Sequence, residues 1–251
     1  MVPDHTNKVL KNATQAIDAL GAHGALTAPE LAVELEMPRP SAYRLLSALV
    51  HAGFAEQLPD GQVALSARWL HLGDAALRGM STWFNSDDVL ERMRDDTGLT
   101  VYFCLPRDNE AICVRRLHGQ NFQVLVLKPG GTLPLYVGAV GRTLLAFGDV
   151  DTSKYLADAP FRSITPRTLT EKDDLIADIA LTRERGYCLS DEDVTVGVGA
   201  IGVPVVDSVG RTCAALSLAG VREQIVEDQE RLAGVLKSAS ARITDAIRRS
   251  S

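Results

Sequence analysis

The chain has 251 residues, 46% of them hydrophobic and 23% charged, and 26 Lys and Arg stand against 32 Asp and Glu for a net charge of −6. That length suits two domains better than one, and the balance excludes collagen-like, low-complexity and disordered classes. An acidic total also argues against a broad basic surface for nucleic acid, whose phosphates are met by Lys and Arg.

Three helices open the chain. Val9, Leu10, Ala13, Ala16, Ile17 and Leu20 recur at three- and four-residue steps, and Gly21 and Gly24 end the first helix. Thr27 is an N-cap with Glu30 three residues on, the spacing of a capping box, and Pro29 sits in the first turn. A short turn around Met37-Pro38-Arg39 leads into a third helix, where Ala42, Leu45, Leu46, Leu49 and Val50 form a stripe and Gly53 is the stop. Pro59-Asp60-Gly61 then separates two short extended runs, which reads as a β-hairpin. Three helices and a hairpin within about 65 residues outline a winged helix-turn-helix, whose third helix would enter the major groove.

A linker helix is expected over 66–81, through Trp69, Leu70, Leu72, Ala76 and Leu77. Another follows around Val89–Met93 and ends at Gly98. The period then changes. Residues 100–105, 111–114 and 122–127 are rich in β-branched and aromatic residues and read as strands. Helices are expected at Arg142–Phe147 and around Leu175–Ala180, strands at Gly199–Val206 and Thr212–Leu218, and one long final helix from Ile225 to Ile247. The expected fold class is α+β, with a winged helix-turn-helix over 1–65, the linker helix, and a mixed α/β domain over 82–251.

Four stretches together resemble the IclR family of bacterial transcription regulators. They are Pro38-Arg39-Pro40-Ser41-Ala42-Tyr43-Arg44-Leu45-Leu46 with Gly53-Phe54, and Asp60-Gly61 with Leu65, Leu70 and Leu72-Gly73. Leu133-Pro134-Leu135-Tyr136 with Gly141–Ala146 follows, and then Arg185-Gly186-Tyr187, Asp191-Glu192-Asp193, Gly197, Val203-Pro204-Val205, Ala214–Ser217 and Gly220. The resemblance spans almost the whole chain. It implies a GAF-like effector-binding second domain and homodimers or tetramers that bind a double-stranded, pseudo-palindromic operator, with repression as one mode. The sequence departs from the family pattern at Pro40, where Ser is usual, at Tyr136 for His, at Ala200 for Cys and at Asp193 for Glu.

Residues 37–55 hold Arg39 and Arg44 and no Asp or Glu, so this segment is +2 inside an acidic protein. Arg39, Ser41, Tyr43 and Arg44 are the candidate contacts to phosphates or base edges, with Thr27 offering a hydroxyl and a backbone N–H to a phosphate and Gln62 at the wing tip. Residues 1–72 carry five Lys and Arg against seven Asp and Glu, so the DNA-binding domain itself is acidic outside that segment.

For the effector, the resemblance points to the loop Leu133–Gly141, with Leu133, Tyr136, Gly138, Ala139, Val140 and Gly141, and to facing strand positions Ala200, Ser217 and Ala219. Ser217 and Ala219 are two apart and share a strand face. Asp191 and Asp193 precede these strands, and Phe103 and Tyr136 would make the pocket aromatic. N–H groups at the start of the 142–147 helix suit a carboxylate, so a small organic or aromatic acid is the expected ligand.

Three patterns are set aside. Gly197-Val198-Gly199-Ala200-Ile201-Gly202 matches G-x-G-x-x-G, but Val203-Pro204-Val205 follows as strand, where a dinucleotide site needs a helix. Those glycines are read as letting another backbone or a ligand pass close. Gly141-Arg142-Thr143 lacks the Lys and first glycine of a P-loop. His5, His23, His51, His71 and His118 are scattered, as are Cys104, Cys113, Cys188 and Cys213, so no metal, cofactor or catalytic set is read. Without C-x-x-C pairs, a signal peptide or an apolar run of ~20 residues, a cytoplasmic protein with no membrane partner is expected.

Overall fold

The computed structural model describes residues 8–79, 87–120, 124 and 126–250. The chain divides into two compact units, Met1–Met80 and Ser81–Ser251.

The first unit runs α1 (Lys8–His23), β1 (Ala25–Leu26), α2 (Ala28–Glu34), α3 (Arg39–His51), β2 (Ala55–Gln57), β3 (Val63–Leu65) and α4 (Arg68–Gly79). Ala16 and Leu20 from α1, Leu31 from α2, and Ala42, Leu46 and Leu49 from α3 form one buried cluster. These are the apolar stripes of three amphipathic helices closing on one another. β1 was not expected. It is only two residues long, and its pairing of Ala25 with Ala64 and Leu26 with Val63 completes a sheet of order β1-β3-β2. The capping box forms: Thr27 accepts from the Glu30 amide, and Glu30 accepts from the Thr27 amide. At the hairpin, Asp60 accepts from the Gln62 amide at 3.0 Å.

The linker helix starts two residues later than expected, because Ser66 is used as an anchor. Its hydroxyl donates to Gly53 O at 2.7 Å, and the Trp69 indole donates to Phe54 O at 2.6 Å. Arg68 donates to Ala52 O and lies 4.8 Å from the Phe54 ring centre. The base of α4 is thus fastened to the end of α3, while residues 80–81 of the expected span lie outside the described residues.

The second unit runs α5 (Asp87–Thr97), β4 (Thr100–Arg107), β5 (Glu110–Leu117), β6 (Thr132–Pro134), α6 (Gly138–Phe147), α7 (Thr152–Tyr155), a 3₁₀ turn (Leu156–Asp158), α8 (Lys172–Arg185), β7 (Cys188–Asp191), β8 (Val198–Val206), β9 (Thr212–Val221), α9 (Arg222–Glu227) and α10 (Gln229–Ser250). Its six strands lie in the order β6-β5-β4-β9-β8-β7, and every neighbouring pair is antiparallel.

Each sheet face carries its own core. Val101, Phe103, Ile201, Val203, Leu216 and Leu218 point to one face, against Leu90 and Met93 of α5 and Leu232, Leu236 and Ile243 of α10. Tyr102, Cys104, Ala215 and Ala219 point to the other, against Val140, Leu144 and Leu145 of α6 and Leu175 and Ile179 of α8. This is the period-two alternation of strands expressed as two layers of helices on one sheet.

Several expectations are corrected. The strand read at 122–127 is not one where it is described. Val124 donates its amide N–H to Thr100 Oγ1 at 3.3 Å and its carbonyl accepts from the Tyr102 hydroxyl, so side chains replace a ladder; residues 122, 123 and 125 lie outside the described residues. The helix placed at Arg142–Phe147 begins at Gly138. The single final helix is two, broken at Asp228. β6 and β7 were missed, both short edge strands. Gly202 has the role read from the decoy motif: a Cβ there would sit 2.6 Å from Thr143 Oγ1 and 2.7 Å from Ala139 O, so its bareness lets α6 press onto the sheet. Among the described residues no helix is long and apolar enough to cross a membrane.

Candidate nucleic-acid interface and effector cavity

In the first unit, α3 buries Ala42, Leu46 and Leu49 and leaves Arg39, Tyr43 and Arg44 exposed. Tyr43 is 59% exposed, unusual for so large an apolar ring without a partner surface. Neither arginine is ion-paired among the described residues, so both guanidinium groups are available. Ser41 and Gln62 are half-buried. A groove opens between the start of α2, α3 and the hairpin, lined by Thr27, Pro29, Tyr43, Ser47, Gln57 and Gly61 among others. Thr27 reaches it, but both its donors are committed: its amide and its hydroxyl each lie 2.7 Å from Glu30 Oε2. The phosphate-contact role expected for those groups is therefore not available while the capping box is closed.

In the second unit a cavity lies beneath the start of α6. It measures about 450 Å³ counting the part that opens to solvent. Its floor is a set of small residues on three strands. Ser217 is flanked by Tyr102 on β4 and Gly202 on β8, and Ala219 faces Ala200. Ala200, Ser217 and Ala219 line it, and Leu133, Gly138, Ala139 and Val140 form a wall. The start of α6 has no side-chain cap at Val137, and Gly138 N–H donates to Asp193 Oδ2 at 2.8 Å. The next amides, of Ala139 and Val140, have no acceptor within the helix.

Five expected residues are not brought to the cavity. Phe103 lies on the opposite sheet face, in the core against α10. Tyr136 stacks on Phe161 at 4.4 Å and donates to Arg162 O, as a core aromatic. Gly141 packs against backbone, where a Cβ would meet Pro134 O at 2.6 Å. Asp191 ends β7 and is held by Arg167 and Arg222 outside the cavity. Asp193 stands one layer behind the wall, 2% exposed. Residues the sequence reading passed over take part instead: Tyr102, Val124 and Leu127 on one side, and Ser190, Val194 and Thr195 on the other. Among the described residues no charged side chain lines the cavity.

Behind the wall sits a buried charge network. Asp193 accepts from Gly138 N–H through one oxygen and from the Ser190 hydroxyl through the other. Arg142 Nε is 3.3 Å from Asp193 Oδ2, at ion-pair distance but not aligned as a hydrogen bond. Arg142 also pairs with Asp178 at 2.7 Å and donates to Leu189 O at 2.7 Å. Burial works against the Arg142 charge, yet Cys188 and the carboxylates of Asp193 and Asp178 more than offset it and raise its pKa above the ordinary range. Burial, against the pull of the Arg116 guanidinium, pushes the Tyr102 phenol up to about 12, so the ring enters the cavity neutral. Charge is thus confined to the support and kept off the lining.

The roof is the turn between β7 and β8. Glu192 adopts a left-handed φ of 61°, accepts from Gly197 N–H at 2.6 Å and pairs with Arg167 and Arg222. Thr165 donates to Glu192 O and Thr168 to Asp193 O.

An N-terminal DNA-reading fold and a C-terminal fold built around an apolar cavity define a ligand-responsive transcription regulator. Residues 9–59 match the IclR helix-turn-helix domain, and residues 75–245 match the C-terminal domain of IclR bacterial transcriptional regulators. The chain belongs to the IclR family, whose members are DNA-binding transcriptional regulators with an effector-binding C-terminal domain and not enzymes. It is 26% identical over 214 residues to the transcriptional repressor AllR of Escherichia coli K12, covering 82% of this chain and 77% of that one. It is 31% identical over 197 residues to the Pca regulon regulatory protein of Pseudomonas putida, covering 77% and 67%. Among solved structures, an IclR homolog of Microbacterium hydrocarbonoxydans complexed with 4-hydroxybenzoate superposes with a TM-score of 0.81 at 23% identity, covering 97% of this chain and 100% of that one.

Proposed function

We propose that this regulator is a cytoplasmic homo-oligomeric repressor whose operator affinity is set by a compact aromatic or other organic acid bound in the second unit. The carrying observation is the cavity itself: apolar walls, Ser217 at the floor, and the Ala139 and Val140 amides at the start of the ten-residue α6. Such amides bind carboxylates without a cationic side chain, because the helix dipole favours negative charge there. The tyrosine and valines suit a ring, and an apolar lining with a few placed polar groups is the usual character of a small-molecule site. The structural relative bound to 4-hydroxybenzoate supports the same ligand class.

On the DNA side, Arg39, Ser41, Tyr43 and Arg44 contact the operator, with Gln62 from the wing. Because only the 37–55 segment is net positive, each half-site contact is weak alone. Pseudo-palindromic half-sites bound by a dimer or tetramer supply the affinity. Effector and operator then influence each other through a reciprocal coupling free energy.

Titration calorimetry with 4-hydroxybenzoate, benzoate and short aliphatic acids tests the ligand class. Binding of at least one acid, and release of the promoter fragment beside the protein's own gene in a gel-shift, is expected. Binding of a sugar or an amine with no acid bound would overturn it.

A further inference from the structure

Two of the four cysteines are set directly opposite one another. Cys104 on β4 faces Cys113 on β5 across the sheet. Cys113 sends its N–H to Gly131 O at 2.9 Å and receives Gly130 N–H on its carbonyl at 2.7 Å, on the side away from β4. Toward β4 it is therefore a non-hydrogen-bonded position, where antiparallel Cα atoms approach to about 4.5 Å and side chains are closest. A disulfide bridges Cα separations of about 4.4–6.8 Å, so this pairing lies within its reach. Both side chains point to the same face and are buried in the same core cluster. The register shifts between Phe103 and Cys104, so the ladder is already irregular there and has slack to absorb a new bond.

The two thiols are polarised unequally. The neighbouring Cys104 thiol holds Cys113 below the ordinary thiol range, and the Arg116 guanidinium adds to this; the Cys113 thiol itself donates to Arg115 O at 3.3 Å. Burial, with the neighbouring Cys113 thiol, keeps Cys104 well above it. The remaining thiols are unlike this pair: burial pushes Cys188 up to about 12 and Cys213 up to about 11, and neither faces another cysteine in the sheet.

We propose that Cys104 and Cys113 form a redox-modification site, closing to a cross-strand disulfide when the protein meets hydrogen peroxide. The Cys113 thiolate attacks the peroxide, the O–O bond breaks, and the departing hydroxide takes a proton to leave as water. This gives a sulfenic acid on Cys113. The Cys104 sulfur then attacks the Cys113 sulfur, forming S–S and breaking S–O, and with the Cys104 proton the oxygen leaves as a second water. Two thiols are oxidised and one peroxide is reduced to two waters. The burial of both sulfurs restricts the reaction to oxidants little larger than water and shields the thiols from bulky reagents in the folded state. The bond would stiffen β4 and β5 beside the cavity side formed by Tyr102, Val124 and Leu127.

The test uses the full-length native protein treated with hydrogen peroxide, quenched, unfolded, alkylated and mapped by peptide mass spectrometry. A cross-linked peptide joining Cys104 to Cys113 is expected, removed by dithiothreitol, with Cys188 and Cys213 still alkylated. Four alkylated cysteines after treatment, first oxidation at Cys188 or Cys213, or Cys113 passing to the sulfinic acid without a cross-link would each overturn it. Cys104→Ala adds a second readout. Cys113 should then accumulate as a sulfenic acid trapped by dimedone, and a Cys113 that stays a thiol would overturn its role as the attacking sulfur.

Discussion

The two units solve opposite problems with charge. The first displays it: Arg39 and Arg44 stand exposed on α3 and unpaired among the described residues, where phosphates can reach them. The second hides it: Arg142, Asp178 and Asp193 are stacked behind a cavity whose described lining carries no charge. A polyanion is met by free cations whose counterions are released on binding. A small ligand is met by a few oriented dipoles in a water-poor space, with the ionic groups that orient them kept one layer away.

The contrast is easiest to break in the buried network. Arg142→Ala leaves Asp193 buried and Asp178 half-buried without their counter-charge, and urea unfolding of the second unit should show a loss of about 3–5 kcal/mol. A loss below about 1 kcal/mol would mean that the network is ornamental and that α6 is held by packing on Gly202 alone. In the first unit, Arg39→Ala with Arg44→Ala should leave stability within about 0.5 kcal/mol. DNA affinity should fall by about 2–3 kcal/mol, and the slope of log affinity against log salt should flatten by ~2. An unchanged salt slope would remove these arginines from the interface.

Two smaller changes sharpen the comparison. Ser217→Ala removes one hydroxyl from the cavity floor without touching a charge. It should weaken acid binding about tenfold by calorimetry, the loss of roughly one hydrogen bond, with the thermal midpoint nearly unchanged. Thr27→Ala opens the capping box and should cost about 1 kcal/mol of first-unit stability in thermal melts. Its effect on DNA affinity at matched folded fraction should be negligible, because both donors already serve Glu30.

The first unit was the more legible because its signals are local. Thr27 and Glu30, Pro59-Asp60-Gly61 and the stripe Ala42-Leu46-Leu49 each fix structure within a few residues, and each is found where it was read. The second unit depends on which face a strand residue takes. From Thr100 to Cys104 every position of β4 is buried, on one face or the other, so no polar alternation marks the register. Phe103 was assigned to the cavity and its neighbour Tyr102 occupies it. Ser217 and Ala219 were legible as a pair because same-strand spacing needs no register. Ser190 was missed because a short edge strand with one serine carries no pattern. Tyr136 and Asp193 were placed near the right wall, but only the partners Phe161 and Arg142, distant in sequence, show that they support it from behind.

The described lining of the cavity is uncharged, yet its roof is latched by ions. Asp191 and Glu192 are tied to Arg167 and Arg222, and Arg167 is 52% exposed. Such pairs lie within reach of dissolved salt, which screens them over about 8 Å at physiological ionic strength. The helix beneath cannot slide in compensation, since Gly202 leaves no gap between α6 and the sheet. The turn at 192–197 is therefore the yielding part of the enclosure, and its stiffness is a function of the medium. Ionic stress would loosen ligand retention in the second unit under the same conditions that weaken phosphate contacts in the first, so a rise in salt acts on this regulator twice.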